Sequence, residues 1–421
     1  MKKILNNNIG KTITILISGI ILGTLLLIGV FMLPTKRIEN NVGRSVNLLV
    51  KEGQYHYVLE GNAGTMLDNY TDSLMLSHSI YNGKENLIDK SMHVYRYTTK
   101  DDSPLRSLNN HYTKEEKEST DSYGRYWHGY LVVLKPLLMI LSYPDIRMLN
   151  GILEPLLVAL VAVLMYKKEK KKYILPYIIS TLMVSPFTVA LSLQFSSIFY
   201  ISNISLLILL LLDNKLKTNK SYIFYFLIVG MITSYIDFLT YPLATLGMPL
   251  IMYFILKEEK DFIKNIKDLI INSIMWSIGY IGMWAGKIVI GSLLTGDNLF
   301  KSAFESFETR VSFEAQDIAI TPLSVIKRNV DLILTKPHIL LIMLVILYFI
   351  YKIIKNKTKI TKNTFLKLIP YVLIFMYPFA WYIVASNHSF IHSFFTYRLL
   401  IVSVFALLSG VASILEIKKR K

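Results

Sequence analysis

Long apolar blocks, separated by short polar connections rich in lysine, dominate the pattern along this chain. The blocks run for roughly 18–25 residues, the length that an α-helix needs to cross the hydrocarbon core of a bilayer. Because lipid offers no hydrogen bonds to the backbone, such blocks are predicted to be helical. The predicted fold class is an all-α polytopic membrane protein with about ten transmembrane helices. The predicted spans are residues 12–33, 146–166, 173–193, 197–212, 221–238, 242–256, 269–293, 338–354, 366–385 and 398–415.

Residues 34–129 form the longest stretch without a spanning block. They are polar and carry both charge signs in near balance, which is typical of a folded loop domain outside the membrane. Within them, residues 38–49 have helical apolar spacing and are predicted to lie on the membrane surface. Residues 130–141 are apolar but too short to cross, and they include Lys135, so a re-entrant segment is predicted there.

The blocks and loops divide the chain into five regions. The first block is interpreted as an uncleaved signal-anchor, because it is long and no small-residue cleavage site precedes Pro34. A second outer loop contains residues 324–334, which are predicted to form another interfacial helix. The regions are residues 1–33 (N-terminus and first span), 34–129 (outer loop domain), 130–293 (spans two to seven and the re-entrant segment), 294–337 (second outer loop) and 338–421 (last three spans and basic C-terminus).

The net charge of +17 is explained best by membrane topology. If the N-terminus is inside, the short connections assigned to the cytoplasm are rich in Lys and Arg. The short outer connections near 194–197, 239–241 and 386–397 contain none, as the positive-inside rule requires. Both termini are therefore predicted to be cytoplasmic, in a multi-pass protein of the cell membrane, and nucleic acid is not predicted as a partner.

The first outer loop holds the most specific candidate for chemistry, a pair of aspartates four residues apart. No helix breaker lies between residues 66 and 80, so Asp68 and Asp72 are predicted to share one face of a helix. Two carboxylates this close repel each other, and one of them should have a raised pKa. That property suits a general base or a divalent-cation site, whereas the alternative is a solvated acidic face on a loop helix.

A second group of candidates lies at the predicted outer surface of the membrane. Arg125 and His128 belong to an aromatic string, where they would either bind an anionic or sugar ligand or anchor the chain at the interface. Asp237 and Lys287 lie at the outer ends of apolar blocks, and charges there are costly enough to suggest function. For Lys287 and Arg147, snorkelling to the lipid headgroups is the alternative.

A third group precedes the last apolar block. Arginine, histidine and tyrosine together bind phosphate through charge-assisted hydrogen bonds. Two histidines four residues apart would instead share a metal ion on a helix, although no third ligand is close in the sequence. No cofactor is assigned, and a divalent metal stays open. The candidates in this group are His388, His392, Tyr397 and Arg398.

Several classes of protein are excluded or disfavoured by what the sequence lacks. The chain has no cysteine, which excludes disulfides and cysteine-ligated metal sites. It also has no Walker A loop, no G-x-S-x-G elbow and no H-E-x-x-H helix. An ATP-driven pump and the common soluble hydrolases are therefore disfavoured.

In this organisation the chain resembles the GT-C superfamily of membrane glycosyltransferases. The shared features are a first helix with its N-terminus inside, a long first outer loop bearing acidic residues on short helices, and a series of further spans. The strings at residues 67–72, 126–130, 237–242 and 394–398 are similar to those of multi-spanning membrane proteins of Gram-positive bacteria. The chain departs from the superfamily in lacking an Asp-Asp or Asp-x-Asp pair directly after the first helix.

The resemblance implies an inverting transferase that takes a sugar from a polyprenyl-phosphate carrier and modifies a cell-envelope glycan on the outer face. It implies that Asp68 is the base that deprotonates the acceptor, and that Asp72 orients the acceptor or helps to hold the acceptor or a metal. Arg398, with Lys287 and His392, would neutralise the phosphate as it leaves, and so stabilise the transition state selectively. A groove between helices would hold the polyprenyl tail.

Two other functions stay open at this point. One is a transporter or flippase of lipid-linked saccharides, and the other is a non-catalytic assembly protein of the cell envelope. Transporters usually have internal repeats and charges near the midplane of the bilayer. Here the charges gather at the outer edge and no repeat is evident, which favours the transferase.

Overall fold

The computed structural model describes residues 7–100, 103–257, 261–316, 318–358 and 360–415. Residues 1–6 and 416–421, which include most of the predicted basic N-terminus and the whole basic C-terminus, lie outside the described residues. The described part is almost entirely helical, with two short antiparallel hairpins, β1–β2 (Arg96–Thr98 and Ser119–Asp121) and β3–β4 (Glu314–Ala315 and Ile318–Ala319).

The helices follow each other through short connections. The first half contains α1 (Asn8–Phe31), α2 (Thr35–Glu52), α3 (Asn69–Ile80), α4 (Leu87–His93), α5 (Pro104–Thr113), α6 (Leu131–Leu138), α7 (Tyr143–Lys167), α8 (Ile174–Leu182), α9 (Pro186–Val189) and α10 (Leu193–Thr218). The second half contains α11 (Tyr222–Ile236), α12 (Ala244–Lys257), α13 (Phe262–Thr295), α14 (Leu299–Val311), α15 (Pro322–Ile333), α16 (Lys336–Lys355), α17 (Lys362–Phe375), α18 (Tyr377–Val384), α19 (Ser386–Ile391), α20 (Ser393–Thr396) and α21 (Ile401–Ile414).

Seven helical segments of the described chain are long and apolar enough to cross a membrane, judged by length and composition. They are α1, α7, α10, α13, α16, the α17–α18 segment and the α20–α21 segment. Helices α11 and α12 are apolar but shorter. Large apolar side chains are exposed along these helices, such as Ile17 and Leu25 on α1, as expected for a protein surrounded by lipid. The predicted class, an all-α membrane protein, is confirmed.

One predicted span is not a continuous helix. Within residues 173–193, α8 ends at Leu182, Ser185 adopts a left-handed φ of 53°, and α9 begins at Pro186. A proline lacks the backbone donor and disfavours the helical conformation of the residue before it, so the helix ends there. The ten predicted spans therefore reduce to seven long helical segments, two shorter apolar helices and one interrupted block.

Residues 34–142 pack into one unit, called here the first loop domain. One face of α2 carries Ile38, Val42, Val46 and Leu49, and it is buried against α3, α5 and α6. The prediction that residues 38–49 lie on the membrane surface is therefore wrong, because protein covers that face. Helical apolar spacing specifies that one face is buried, but it does not specify what buries it.

The same correction applies to residues 324–334. Helix α15 buries Val325, Asn329 and Ile333 against α18 and α19. The Asn329 side-chain amide donates to the carbonyl oxygen of Ser389 at 2.9 Å. The apolar face of α15 is thus part of the protein core, and the helix does not present it to lipid.

The short segment at residues 130–141 forms α6, which is 8 residues long and cannot span the membrane. Its Lys135 is buried, donates to the carbonyl oxygen of Ser79 at 2.9 Å, and lies 4.8 Å from the centre of the Phe31 ring. These contacts tie α6 both to α3 and to the end of α1.

Helices α11 and α13 approach each other closely through glycines. A Cβ atom on Gly230 would lie 2.1 Å from the carbonyl oxygen of Trp276, and one on Gly279 would lie equally close to that of Leu227. Only glycine fits at such a contact, as is common between membrane helices. This pair fixes the end of α11, where Asp237 lies, relative to the Lys287 region of α13.

Candidate functional site

Asp68 lies at the N-terminus of α3, where it caps the helix. Its carboxylate accepts hydrogen bonds from the backbone amide of Thr71 at 3.0 Å and from the Thr71 hydroxyl at 2.8 Å. The residue is only 3% exposed. Burial raises its pKa to about 7, the repulsion from Asp72 adds a smaller increase, and the Thr71 hydrogen bonds oppose the shift. The predicted raised pKa is present, but burial causes most of it.

The surroundings of Asp68 are aromatic and contain no compensating cation among the described residues. Tyr55 lies beside the carboxylate, whose charge contributes, after burial, to raising the tyrosine pKa to about 12. The Tyr55 ring is parallel to that of Tyr70 at 6.3 Å and meets the edge of Phe394 at 5.7 Å. An aromatic wall thus joins Asp68 to the C-terminal segment that carries His392.

Asp72 has a different environment, and all its acceptor sites are used by the protein. Its carboxylate accepts hydrogen bonds from the Tyr143 hydroxyl, from the backbone amides of Leu193 and Gln194 at 3.0 and 3.1 Å, and from the Ser192 hydroxyl at 3.2 Å. It therefore caps the N-terminus of α10. The prediction that Asp72 orients an acceptor is not favoured by this geometry, and the solvated acidic face is excluded for both aspartates.

A buried ion pair lies next to Asp72. The Arg147 guanidinium donates to both carboxylate oxygens of Glu52, at 2.7 and 3.0 Å, and to the side-chain oxygen of Asn69 at 2.9 Å. Snorkelling is therefore the wrong explanation for Arg147. Glu52, Asn69, Asp72, Tyr143 and Arg147 are called here the latch, since they fasten the first loop domain to α7 and α10.

Arg398 and Tyr397 are both enclosed by protein. The Arg398 guanidinium donates to the carbonyl oxygen of Phe394 and to the Thr188 hydroxyl, each at 2.8 Å. The Tyr397 hydroxyl donates to the carbonyl oxygen of Gly64 at 2.7 Å. Gly64 lies four residues before Asp68, so Arg398 and Tyr397 support the turn that leads to it. Arg398 is fully buried, which favours a supporting role over direct contact with a ligand.

The two histidines of the C-terminal group meet an arginine that the sequence did not single out. Arg310 donates to His388 Nδ1 at 2.7 Å and to the Tyr126 hydroxyl at 3.1 Å. His388 Nε2 lies 2.7 Å from the carbonyl oxygen of Leu239, so Nε2 carries the proton and Nδ1 accepts from Arg310. Burial and the neighbouring Arg310 charge lower the pKa of His388 well below its usual value.

His392 lies beside this pair, with ring centres 4.8 Å apart from His388. Burial, and then Arg310, lower its pKa to about 4, so both histidines are neutral at pH 7. Among the described residues, no group of three or more His, Asp or Glu side chains is placed to hold a metal ion. The neutral pair instead packs beside Arg310, and the side chains of Tyr126, Arg310, His388 and His392 are called here the Arg310 pocket.

Unlike Arg398, which is fully enclosed, Arg310 stays partly exposed. It forms hydrogen bonds with His388 and Tyr126, and Tyr123 and Tyr280 lie further away. No carboxylate lies within ion-pair distance of it in the described part of the chain. A partly buried cation held only by neutral groups retains its attraction for an anion. Arg310 escaped the sequence analysis because it lies in a loop helix, not beside an apolar block.

Asp237 also lies next to this pocket, in a tight turn. Its carboxylate accepts hydrogen bonds from the backbone amide of Thr240 at 2.9 Å and from the Thr240 hydroxyl at 2.6 Å. Within the turn, Leu239 adopts a left-handed φ of 62°, a conformation that non-glycine residues rarely have. The turn thereby directs the Leu239 carbonyl at His388. Asp237 stabilises this turn and so helps to position His388, but it is not itself part of the Arg310 pocket.

Of three further candidates, Lys287 holds the first loop domain on α13, whereas His128 and Arg125 contact Tyr123 within that domain. His128 is buried, its Nε2 lies 2.7 Å from the carbonyl oxygen of Tyr123, and burial lowers its pKa to about 3. Lys287 is fully buried and donates to the carbonyl oxygen of Met92 at 2.6 Å, which excludes snorkelling. The Arg125 guanidinium stacks 4.2 Å above the Tyr123 ring and lies nearer the surface. Lys287 and His128 are thus separate from the Arg398 region.

An apolar groove of 740 Å³ runs between α6, α7, α10 and α11. It extends from Met75 and Tyr130 in the first loop domain to Leu216 near the far end of α10. The polar residues in its wall include Asn150, Ser196 and Tyr200, and Ser196 donates to the buried Glu154 at 2.9 Å. Helix α3 links this groove to Asp68, because Met75 follows Asp68 by about two turns, or about 10 Å.

The sequence therefore identified Asp68 and the histidine pair, but not the residues that complete their surroundings. Tyr55, Arg310 and the latch partner Glu52 come from segments with no distinctive motif. No protein-family model, no curated protein and no solved structure matches this chain, so its structural features alone carry the functional argument.

Proposed function

We propose that this protein is an inverting, GT-C-like glycosyltransferase of the cell membrane that takes its sugar from a polyprenyl-phosphate carrier. The acceptor is a cell-envelope glycan on the outer face. The observation that carries the proposal is Asp68, a buried carboxylate without a cation partner among the described residues. Its pKa of about 7 suits a general base near neutral pH.

The second support is the apolar groove, whose volume of 740 Å³ and apolar lining suit a prenyl chain. It opens among helices that include two candidate spans, α7 and α10. Its upper end lies under α3, the helix that Asp68 caps. A lipid tail in the groove would therefore leave its phosphate near the first loop domain.

The third support is the Arg310 pocket. In the proposed reaction, Asp68 removes the proton of the acceptor hydroxyl as that oxygen bonds to the anomeric carbon of the sugar. The bond from this carbon to the phosphate oxygen breaks, and the phosphate leaves with the electron pair. Arg310 stabilises the charge that develops on the phosphate. Arg310 thus takes the role that the resemblance assigned to Arg398 and Lys287.

The test is the replacement Asp68→Asn, which removes the base but keeps a side chain that caps helices equally well. Proteoliposomes receive a panel of polyprenyl-phosphate sugars and a crude envelope glycan, and release of polyprenyl phosphate is measured. We expect a loss of at least about 100-fold, with a thermal unfolding midpoint at least as high as that of the wild type. The matched control is Glu60→Gln, an exposed carboxylate of the same domain, which should keep full activity. Normal transfer by Asp68→Asn would remove Asp68 as the base.

A flippase for lipid-linked saccharides is the second candidate, and the polar residues in the groove wall favour it. Asn150, Ser196 and Tyr200 offer hydrogen bonds to a head group that moves between the helices. The same proteoliposomes distinguish the two functions. Movement of the intact lipid-linked sugar across the bilayer, without release of polyprenyl phosphate, would favour the flippase.

A further inference from the structure

Helix α14 exposes a stripe of three phenylalanines. Phe300, Phe304 and Phe307 follow the i, i+4, i+7 spacing that places residues on one helix face, and they are 54%, 61% and 50% exposed. Neighbouring large apolar side chains, Phe313 and Ile318, are also exposed. A contiguous apolar surface of this kind marks an interaction site.

The helix is fixed to the protein by a different face. Leu299 and Ala303 are buried against Ile288 of α13, and Arg310, on the same side, bonds to Tyr126 and His388. At 100° per residue, the phenylalanine stripe lies roughly a quarter-turn away from this anchored face. The stripe is therefore held outward by a helix that cannot rotate to hide it.

The stripe continues a surface that faces lipid. Helix α13 is a candidate membrane span, and Val289 and Leu293 near its end are exposed apolar residues. Helix α14 begins four residues after α13 ends, so its stripe extends the apolar surface of the span. Lys301 and Glu305 lie on another side of α14 and are strongly exposed. Charges on one side and aromatic residues on another are typical of a helix in the membrane interface.

We propose that α14 lies in the headgroup region of the bilayer, with Phe300, Phe304 and Phe307 inserted among the acyl chains. The second loop is then a membrane-bound element, and the interfacial helix of this loop is α14, whereas the sequence pattern had indicated residues 324–334. Because Arg310 is on α14, the depth of insertion sets the height of the guanidinium relative to the lipid phosphates. The inference rests on the geometry of α14 and does not depend on glycosyl transfer.

The chain offers a clean experiment, since it contains no cysteine. Single variants Phe304→Cys and Lys301→Cys are spin-labelled and reconstituted as full-length protein in phosphatidylethanolamine–phosphatidylglycerol vesicles. Power saturation then measures the accessibility of each label to oxygen, which concentrates in lipid, and to a water-soluble nickel chelate. We expect the ratio of oxygen to nickel accessibility to be several-fold higher at position 304 than at position 301.

Two results would overturn the proposal. Equal nickel accessibility at the two positions would place the stripe in water. A label at position 304 that is inaccessible to both reagents would mean that a protein, such as a second copy of this chain, covers the stripe. Each labelled variant must keep the thermal midpoint of the cysteine-free parent in detergent, and Phe307→Cys serves as the second stripe position if Phe304→Cys misfolds.

Discussion

Two regions of this molecule bury charged side chains in opposite ways. In the latch, Arg147 donates to both oxygens of Glu52 and to Asn69, and Asp72 accepts four hydrogen bonds. Elsewhere, Asp68 is buried and Arg310 is only partly exposed, and neither has a partner of opposite charge among the described residues. A buried charge with complete partners holds a structure together, whereas one without them is available to a ligand or a proton.

The comparison explains why the resemblance-based assignment needed revision. Arg398 and Lys287 are the cations that sequence position favoured, yet both are fully buried and donate to carbonyl oxygens of the protein. Arg310 also has neutral partners, but it stays partly exposed and therefore accessible to a ligand. The distinction between supporting and ligand-binding cations follows from these contacts, and three variants test it.

The largest expected effect is on folding, in the latch. Arg147→Met leaves the largely buried Glu52 carboxylate without its cation, with only the hydrogen bond from Asn69, so we expect a loss of about 3–5 kcal/mol in the free energy of unfolding. Chemical unfolding in detergent micelles measures it. The matched control is Arg328→Met, which removes an exposed guanidinium stacked 4.4 Å over Phe390 and should cost below about 1 kcal/mol. Equal stabilities for the two variants would contradict the structural role of the latch.

The next effect is on ligand binding and transfer, at Arg310. Arg310→Gln should lower the rate of transfer by about 10²–10³-fold, the usual effect of removing one group that stabilises a developing negative charge. A binding measurement that does not depend on catalysis accompanies the rate measurement. A short-chain prenyl phosphate should raise the thermal midpoint of the wild type but not that of Arg310→Gln. Arg328→Gln is the control. If Arg310→Gln unfolds as readily as Arg147→Met, Arg310 belongs with the latch.

The third effect is a pH dependence of stability at Asp68. Its pKa is raised from 3.8 to about 7 on folding, so the folded state binds the proton more tightly than the unfolded state. The stability that this group contributes is therefore present below about pH 4 and is lost as pH rises through about 7. Asp68→Asn, which stays neutral, should match the wild type at pH 4 and exceed its stability by about 4 kcal/mol at pH 8. A constant difference across this range would contradict the raised pKa.

The sequence predicted most of the helices, but not what covers the apolar faces of the loop helices. Three loop helices, α2, α14 and α15, each have an apolar face. In α2 and α15 it is buried, at Val42 and Val325, whereas in α14 it is exposed, at Phe304. The periodicity of apolar residues predicts only that a helix has an apolar face. It does not predict what covers that face, because the covering elements come from distant parts of the chain.

The spacing of Asp68 and Asp72 likewise predicted their proximity but not their roles. Asp68 caps α3, while Asp72 caps α10, which begins about 120 residues later in the chain. A carboxylate's role depends on whether donors saturate it, and for Asp72 all but one of those donors lie on α10 or immediately before it. The same holds for Arg310, whose partners Tyr126 and His388 are far apart in the sequence.

By itself, the sequence determined that this protein is helical and embedded in lipid. The length and apolarity of a block are local properties, and they alone decide whether the block can cross a bilayer as a helix. The sequence also predicted helical structure between residues 66 and 80, where α3 lies. Only the tertiary structure decided which buried charges are compensated. The donors around Asp72 and the neutral neighbours of Arg310 come from segments that are far apart in the sequence, and no local pattern connects them.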